Sequence, residues 1–233
     1  MTLADGPLQI AIDGPVASGK STVARLLARR IGCIFLDTGA LYRAVALSAL
    51  EHGVPHDDEP SVAALLDDDV PGIAVDATTK LGYSIRVNGR CVTEELFAPD
   101  VSRAVSAIAA LPAVRKRLLA VQRDFADERD VIMAGRDIGS VVLPDAALKF
   151  FLTATIASRV DRRLAELRSA GVPIERLALR EEIERRDERD RRRAVSPLVK
   201  VPDAIEIDTS NLTVDQVVDE LYRIVRAKSA SAR

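Results

Sequence analysis

GPVASGKS, Gly14–Ser21, is the stretch on which the reading of this chain turns. It fits G-x-x-x-x-G-K-[ST], in which glycines let backbone N–H groups curl around phosphate oxygens and the following helix points its positive end at them. Gly14, Pro15, Val16, Ala17, Ser18, Gly19, Lys20, Ser21 and Thr22 are therefore the expected contacts of a nucleoside triphosphate. Lys20 can reach the β- and γ-phosphates, and the Ser21 hydroxyl can bind Mg²⁺. The context agrees with the motif. LQIAID (Leu8–Asp13), just before it, reads as a buried strand ending in a glycine-rich turn. From Lys20 the period becomes helical, with Val23, Leu26, Leu27 and Ile31 on one face and Gly32 as the C-cap. Asp13, the last residue before the loop, either caps the strand end or holds the metal through water.

Outward from the loop, strand-like and helical patterns alternate. CIFLD (Cys33–Asp37) reads as a second strand, with Asp37 as a possible strand-end cap, and ALYRAVALSALEHG follows as a helix ending at Gly53. DVIMAG (Asp130–Gly135), ALKFFLTA (Ala147–Ala154) and DAIEID (Asp203–Asp208) are further short apolar runs with helical pattern between them. Such alternation implies a parallel sheet covered on both faces. One segment breaks the rhythm. After the polar GVPHDDEPS, the stretch Gly72–Thr93 contains YSIRV and RCVT joined around Asn88-Gly89, a strong hairpin signal. It reads as a small antiparallel subdomain inserted into the α/β core. The tail AKSASAR is expected to fray.

Composition excludes several classes. The 233 residues, 48% hydrophobic and 29% charged, fit a soluble globular protein. No apolar run approaches the roughly 20 residues needed to cross a membrane, and the first residues do not look like a signal peptide. With only Cys33 and Cys91, and no Cys/His cluster, neither a disulfide framework nor a zinc site is expected, and the cytoplasm is the default. The formal net charge of −2 speaks against wholesale nucleic-acid binding, so any anion site must be local. His52 and His56 read as solvated loop residues.

A phosphate loop names a donor and leaves the reaction open. No N-K-x-D is present to read a guanine base, which leaves a small phosphotransferase as the expectation. DTGALYR (Asp37–Arg43), GRDIGSVVLPDA (Gly135–Ala146) and RDERDRRRAVSPL (Arg186–Leu198) then matter together with the loop. In order and spacing, from about Ile10 to Ala227, these four motifs resemble the bacterial cytidylate kinases. The resemblance implies ATP as donor, CMP or dCMP as acceptor and Mg²⁺ as cofactor. It also implies a helical lid and an inserted subdomain that binds the monophosphate. Arg43 and Arg136 would hold the acceptor phosphate, and Thr38 would lie near the sugar. Ser106, Arg115 and Asp137 would read cytosine. Arg186 and Asp190 would bind near the ribose, and Arg193 would contact phosphate.

RRDERDRRR (Arg185–Arg193) belongs to that set. On a helix Arg186, Asp190 and Arg193 share one face, while Glu182–Arg186 and Glu181–Arg185 sit at i, i+4 as ion pairs. Arg159, Arg162 and Arg163 begin a second cluster resembling the family's lid. Lys20, Arg159, Arg162, Arg163 and Arg193 are therefore the expected catalytic cations. Charge neutralisation carries most of phosphoryl transfer, so the scarcity of histidine is no obstacle.

The expected fold is α/β, a three-layer phosphate-loop core around a parallel five-stranded sheet. The core comprises residues 8–62, 104–157 and 194–227, the antiparallel insertion 63–103 and the lid 158–193. The expected partners are ATP and CMP or dCMP, without nucleic acid or membrane, and the chain is expected to act as a monomer. A small kinase acting on UMP, AMP or shikimate stays open at this point, as does a nucleotide-binding switch protein.

Overall fold

A computed structural model describes residues 6–68, 72–78, 82–127 and 129–231. The apolar runs read as strands form one parallel sheet: β1 (Gln9–Asp13), β2 (Ile34–Asp37), β6 (Val131–Gly135), β7 (Leu148–Thr153) and β8 (Ile205–Asp208). Their spatial order is β2-β6-β1-β7-β8. β1 is central, with Ile10 opposite Ile132 on one side and Leu148 on the other. Ile10, Ala11 and Ile12 are fully buried, as a strand covered on both faces requires. This order puts the C-terminal ends of β1, β6 and β2 side by side, where open α/β sheets bind ligands.

The helices are α1 (Lys20–Ile31), α2 (Gly39–Glu51), α3 (Glu59–Asp68), α4 (Pro99–Ile108), α5 (Pro112–Ala126), α6 (Ile156–Ser169), α7 (Arg176–Arg192) and α8 (Val214–Ser231). α1 buries Val23, Ala24, Leu27 and Ala28, while Leu26 and Ile31 are only partly covered. Gly32, at φ 76°, closes the helix by donating its N–H to the Ala28 carbonyl.

The insertion is a three-stranded antiparallel sheet, β3 (Ala74–Thr78), β4 (Gly82–Val87) and β5 (Arg90–Cys91). Asn88 and Gly89 turn the β4–β5 hairpin at φ 50° and 80°, and Val87 pairs with Arg90. Both turn residues need positive φ, which is why Asn-Gly was legible. Residues 69–71 and 79–81 of the expected insertion lie outside the described residues. The small sheet leans on the core through Tyr83, whose ring meets Phe35 of β2 edge-on at 5.8 Å.

α6 and α7 form a helix pair over a small apolar cluster of their own: Val160, Leu164, Leu179 and Ile183, with Val16 of the phosphate loop packed against it. Three local expectations change. α3 begins at Glu59, inside the stretch read as polar loop, and the tail continues α8 as far as Ser231. Within α7, among the described residues, the ion pairs formed are Arg180–Glu184 and Arg192–Glu188, not the two pairs expected from Glu181 and Glu182.

Candidate active site

Three strand ends build one cavity of about 670 Å³. β1 runs into the phosphate loop, whose path needs Gly14: at φ 150° its Cα lies so close to Leu152 that a Cβ would stand 2.0 Å from that carbonyl oxygen. Gly14, Pro15 and Ser18 thus shape the loop, while Val16, Ala17, Gly19, Lys20, Ser21 and Thr22 face the cavity. Lys20 is buried and its ammonium folds back on the loop, donating to the Pro15 carbonyl at 2.6 Å and to Ser18 Oγ at 3.3 Å. Burial pushes its pKa well below the ordinary lysine value and the Arg136 charge adds to this, against Asp37, Asp13 and Asp190. An anion in the loop would relieve that penalty.

β2 delivers Asp37, Thr38 and the start of α2. The Asp37 carboxylate accepts the Gly39 N–H at 2.9 Å through one oxygen, which caps the helix start. Its other oxygen accepts from Ser21 Oγ at 2.5 Å. Thr38 is buried, and its hydroxyl donates to the Ala134 carbonyl at 3.1 Å. Asp13 does not line the cavity. Its carboxylate instead accepts the backbone N–H groups of Ile138 and Gly139 at 2.8 and 2.7 Å, fixing the turn that follows β6. Burial raises its pKa from 3.8 to about 6 against the pull of those two donors. Asp13 is therefore a turn anchor, and Asp37 is the carboxylate that stands beside Ser21.

β6 delivers Arg136 and Asp137. Arg115, from α5, pairs with Asp137 at 2.5 Å and donates to the Ala109 carbonyl at 2.9 Å, with its guanidinium 5.2 Å from the Tyr42 ring centre. Arg193 stands between Asp137 and Asp190, at 3.8 and 3.6 Å. One of its nitrogens, Nη2, is buried without a hydrogen-bond partner. Arg136 holds Asp190 at 2.8 Å. Burial pushes the Asp190 carboxyl up, but the charge and hydrogen bond of Arg136, then Arg193 and Arg186, bring it below the usual carboxylate range.

Arg186, Asp190 and Arg193 all face the cavity, as their helical spacing requires. Arg186 has no hydrogen bond or ion pair among the described residues. Burial, with the charges of Arg136 and Arg43 beside it, lowers its pKa to about 10. Ser106 is also in the wall, where it accepts from Arg189 at 2.9 Å.

The second arginine cluster divides. Arg163 faces the cavity. Arg162 grips the Thr209 hydroxyl at 2.9 Å and the Thr209 carbonyl, close to Gly19. Arg159 is buried, ion-paired with Asp187 at 2.6 Å and donating to the carbonyls of Val16 and Ala154. Of the three, only Arg163 lines the cavity; α6 turns the other two toward the phosphate loop and the chain after β8. Sequence reasoning missed Tyr42, Phe97, Ser102 and Arg103, which also line the cavity. Only Tyr42 carried a signal, one helical turn beyond Thr38 and next to Arg43.

The sequence pattern of the family described as cytidylate kinase matches residues 10–227. The chain belongs to the cytidylate kinase family. Relatives named cytidylate kinase include one from Symbiobacterium thermophilum, 44% identical over 97% of this chain and 99% of that one. Another, from Pelotomaculum thermopropionicum, is 46% identical over 94% of this chain and 96% of that one. Among solved structures, an uncharacterised protein from Eubacterium ventriosum is similar in fold, with a TM-score of 0.50 and 17% identity over 94% of this chain and 98% of that one. Family membership makes the chain a kinase. The phosphate loop and the arginine-rich wall across β6, α2 and α7 line one cavity. Among the described residues no helix is long and apolar enough to cross a membrane.

Proposed function

We propose that this cavity moves the γ-phosphoryl group of ATP to CMP or dCMP, giving ADP and CDP or dCDP. The observation that carries the reading is Arg186, a guanidinium with no hydrogen bond or ion pair among the described residues, beside Arg136 and Arg43 in the cavity that Lys20 also faces. Cations crowded this way are favoured further when anions arrive, and a nucleotide kinase brings two sets of phosphates. The cavity size is that of a small-molecule site.

In this reading Lys20 and the loop amides hold the donor phosphates. Arg43 and Arg136 hold the acceptor phosphate, Arg186 and Asp190 the ribose, and Arg163 and Arg193 the charge that develops in transfer. Arg162 acts from beside the loop and Arg159 through the lid's position. Thr38 stands near the sugar, and Asp137, Arg115 and Ser106 read the base. The acceptor phosphate, with a second pKa of about 6, is largely ionised at neutral pH and needs no general base.

The Ser21 hydroxyl and Asp37 carboxylate, hard oxygens 2.5 Å apart on the cavity wall, fit Mg²⁺. In this reading the ion is carried mainly by nucleotide phosphates. When bound there, it would neutralise the β- and γ-phosphate oxygens. The proposal includes cytoplasmic residence, supported by two cysteines left as free thiols, and action as a monomer without nucleic acid.

ADP release from the purified protein, measured with CMP, dCMP, UMP, AMP and shikimate in turn, tests the assignment. CMP and dCMP should accelerate it most. Slow hydrolysis that no acceptor accelerates would instead identify a nucleotide switch.

A further inference from the structure

Arg43 projects from α2, and what grips it comes from elements packed against that helix. Its Nη1 donates to the Leu96 carbonyl at 3.1 Å and to Ser102 Oγ at 2.8 Å. Leu96 lies in a single 3-10 turn (Glu95–Phe97) and Ser102 in the first turns of α4, both at the end of the insertion. A guanidinium Nη carries two hydrogens, so these two acceptors use both of them. Among the described residues Nε and Nη2 have no protein partner. The Phe97 ring lies 5.4 Å from the guanidinium carbon, and at 58% exposure it is an unusually open phenylalanine. It lines the same cavity and covers one face of the guanidinium.

A guanidinium can meet a phosphate through its Nη1/Nη2 end or through its Nε/Nη2 side, and either edge gives two parallel hydrogen bonds. Here the end is occupied and the side is open. We infer that Ser102, with the Leu96 carbonyl and the Phe97 ring, is a positioning residue that turns the Nε/Nη2 edge of Arg43 to the acceptor phosphate. The inference rests on the reading that Arg43 holds that phosphate. It adds that the insertion selects which edge of the arginine is used. The orientation is set before the nucleotide arrives, so binding does not have to order a long side chain.

The test uses the full-length protein and Ser102→Ala. Losing a hydrogen bond to a charged group should weaken CMP binding by about tenfold in calorimetry. KM for CMP should rise by a similar factor, with KM for ATP and the melting temperature unchanged. Cytidine, which has no phosphate, should bind both proteins equally. In an Arg43→Ala background the Ser102→Ala change should be silent, because the hydroxyl acts only through the guanidinium. Unchanged CMP affinity in Ser102→Ala would overturn the inference. So would an equal loss for CMP and cytidine, or a full additional loss in the Arg43→Ala background. If Arg43→Ala itself binds CMP as tightly as the unaltered protein, the acceptor-site reading fails first. If Arg43→Ala loses CMP and Ser102→Ala does not, only the positioning role fails.

Discussion

Replacing Asp187 by alanine would leave the Arg159 guanidinium buried without its counter-ion. The side chains are 7% and 3% exposed, so water cannot take the carboxylate's place. Breaking a buried pair by removing one partner costs about 3–5 kcal/mol. Arg159 keeps the Val16 and Ala154 carbonyls, which argues for the lower end. The loss falls on a weakly founded part of the molecule. α6 and α7 rest on four buried apolar side chains, which at about 2 kcal/mol each amount to roughly 8 kcal/mol before the entropy of ordering the helix pair. A loss of about 3 kcal/mol should therefore open the pair while the parallel sheet stays folded.

Hydrogen exchange should show protection falling across residues 156–192, with β1, β6 and β7 unchanged. Because Arg163, Arg186, Asp190 and Arg193 ride on that pair, kcat/KM should fall by about a hundredfold. The double change Arg159→Met with Asp187→Leu should restore the protection, since a buried pair can be exchanged for apolar side chains at little cost. Unchanged exchange and a loss of under about 1 kcal/mol in Asp187→Ala would refute the strut reasoning.

Lys20→Ala should lower kcat by about a thousandfold with unchanged circular dichroism, and near-normal turnover would remove the donor-site assignment. Asp137→Asn is a cleaner probe of base choice than alanine, because alanine would strand the buried Arg115. The asparagine amide can donate to a uracil oxygen, so the CMP-to-UMP efficiency ratio should narrow by about tenfold, and equal losses for both would refute a base-reading role. Asp13 binds its proton more tightly in the folded protein, at about 6 against 3.8. Its contribution to stability is therefore present below pH 3.8 and lost as the pH rises through 6, about 3 kcal/mol in all. Denaturation of Asp13→Asn should lack that decline between pH 4 and 6; an identical pH slope in both proteins would contradict it.

What could be read from the sequence was local. The Gly14–Ser21 loop, the helical period after Lys20 and the Asn88-Gly89 turn depend on backbone geometry within a few residues, so their signals lie next to one another in the chain. The shared face of Arg186, Asp190 and Arg193 belongs to the same kind, because helix geometry sets it whatever the helix packs on. The tertiary structure decided everything that needed to know what stands opposite a side chain. Arg159 and Arg163 are one turn apart on α6, yet the first meets Asp187 and the loop carbonyls and the second meets the cavity. Asp13 and Asp37 both end strands, and only the order β2-β6-β1 sends the first to the turn after β6 and leaves the second beside Ser21. Ser102 and Arg43 are 59 residues apart, and nothing in either neighbourhood records that the insertion folds back over α2. Burial and pairing are properties of two surfaces brought together, and one stretch of chain encodes only one of them.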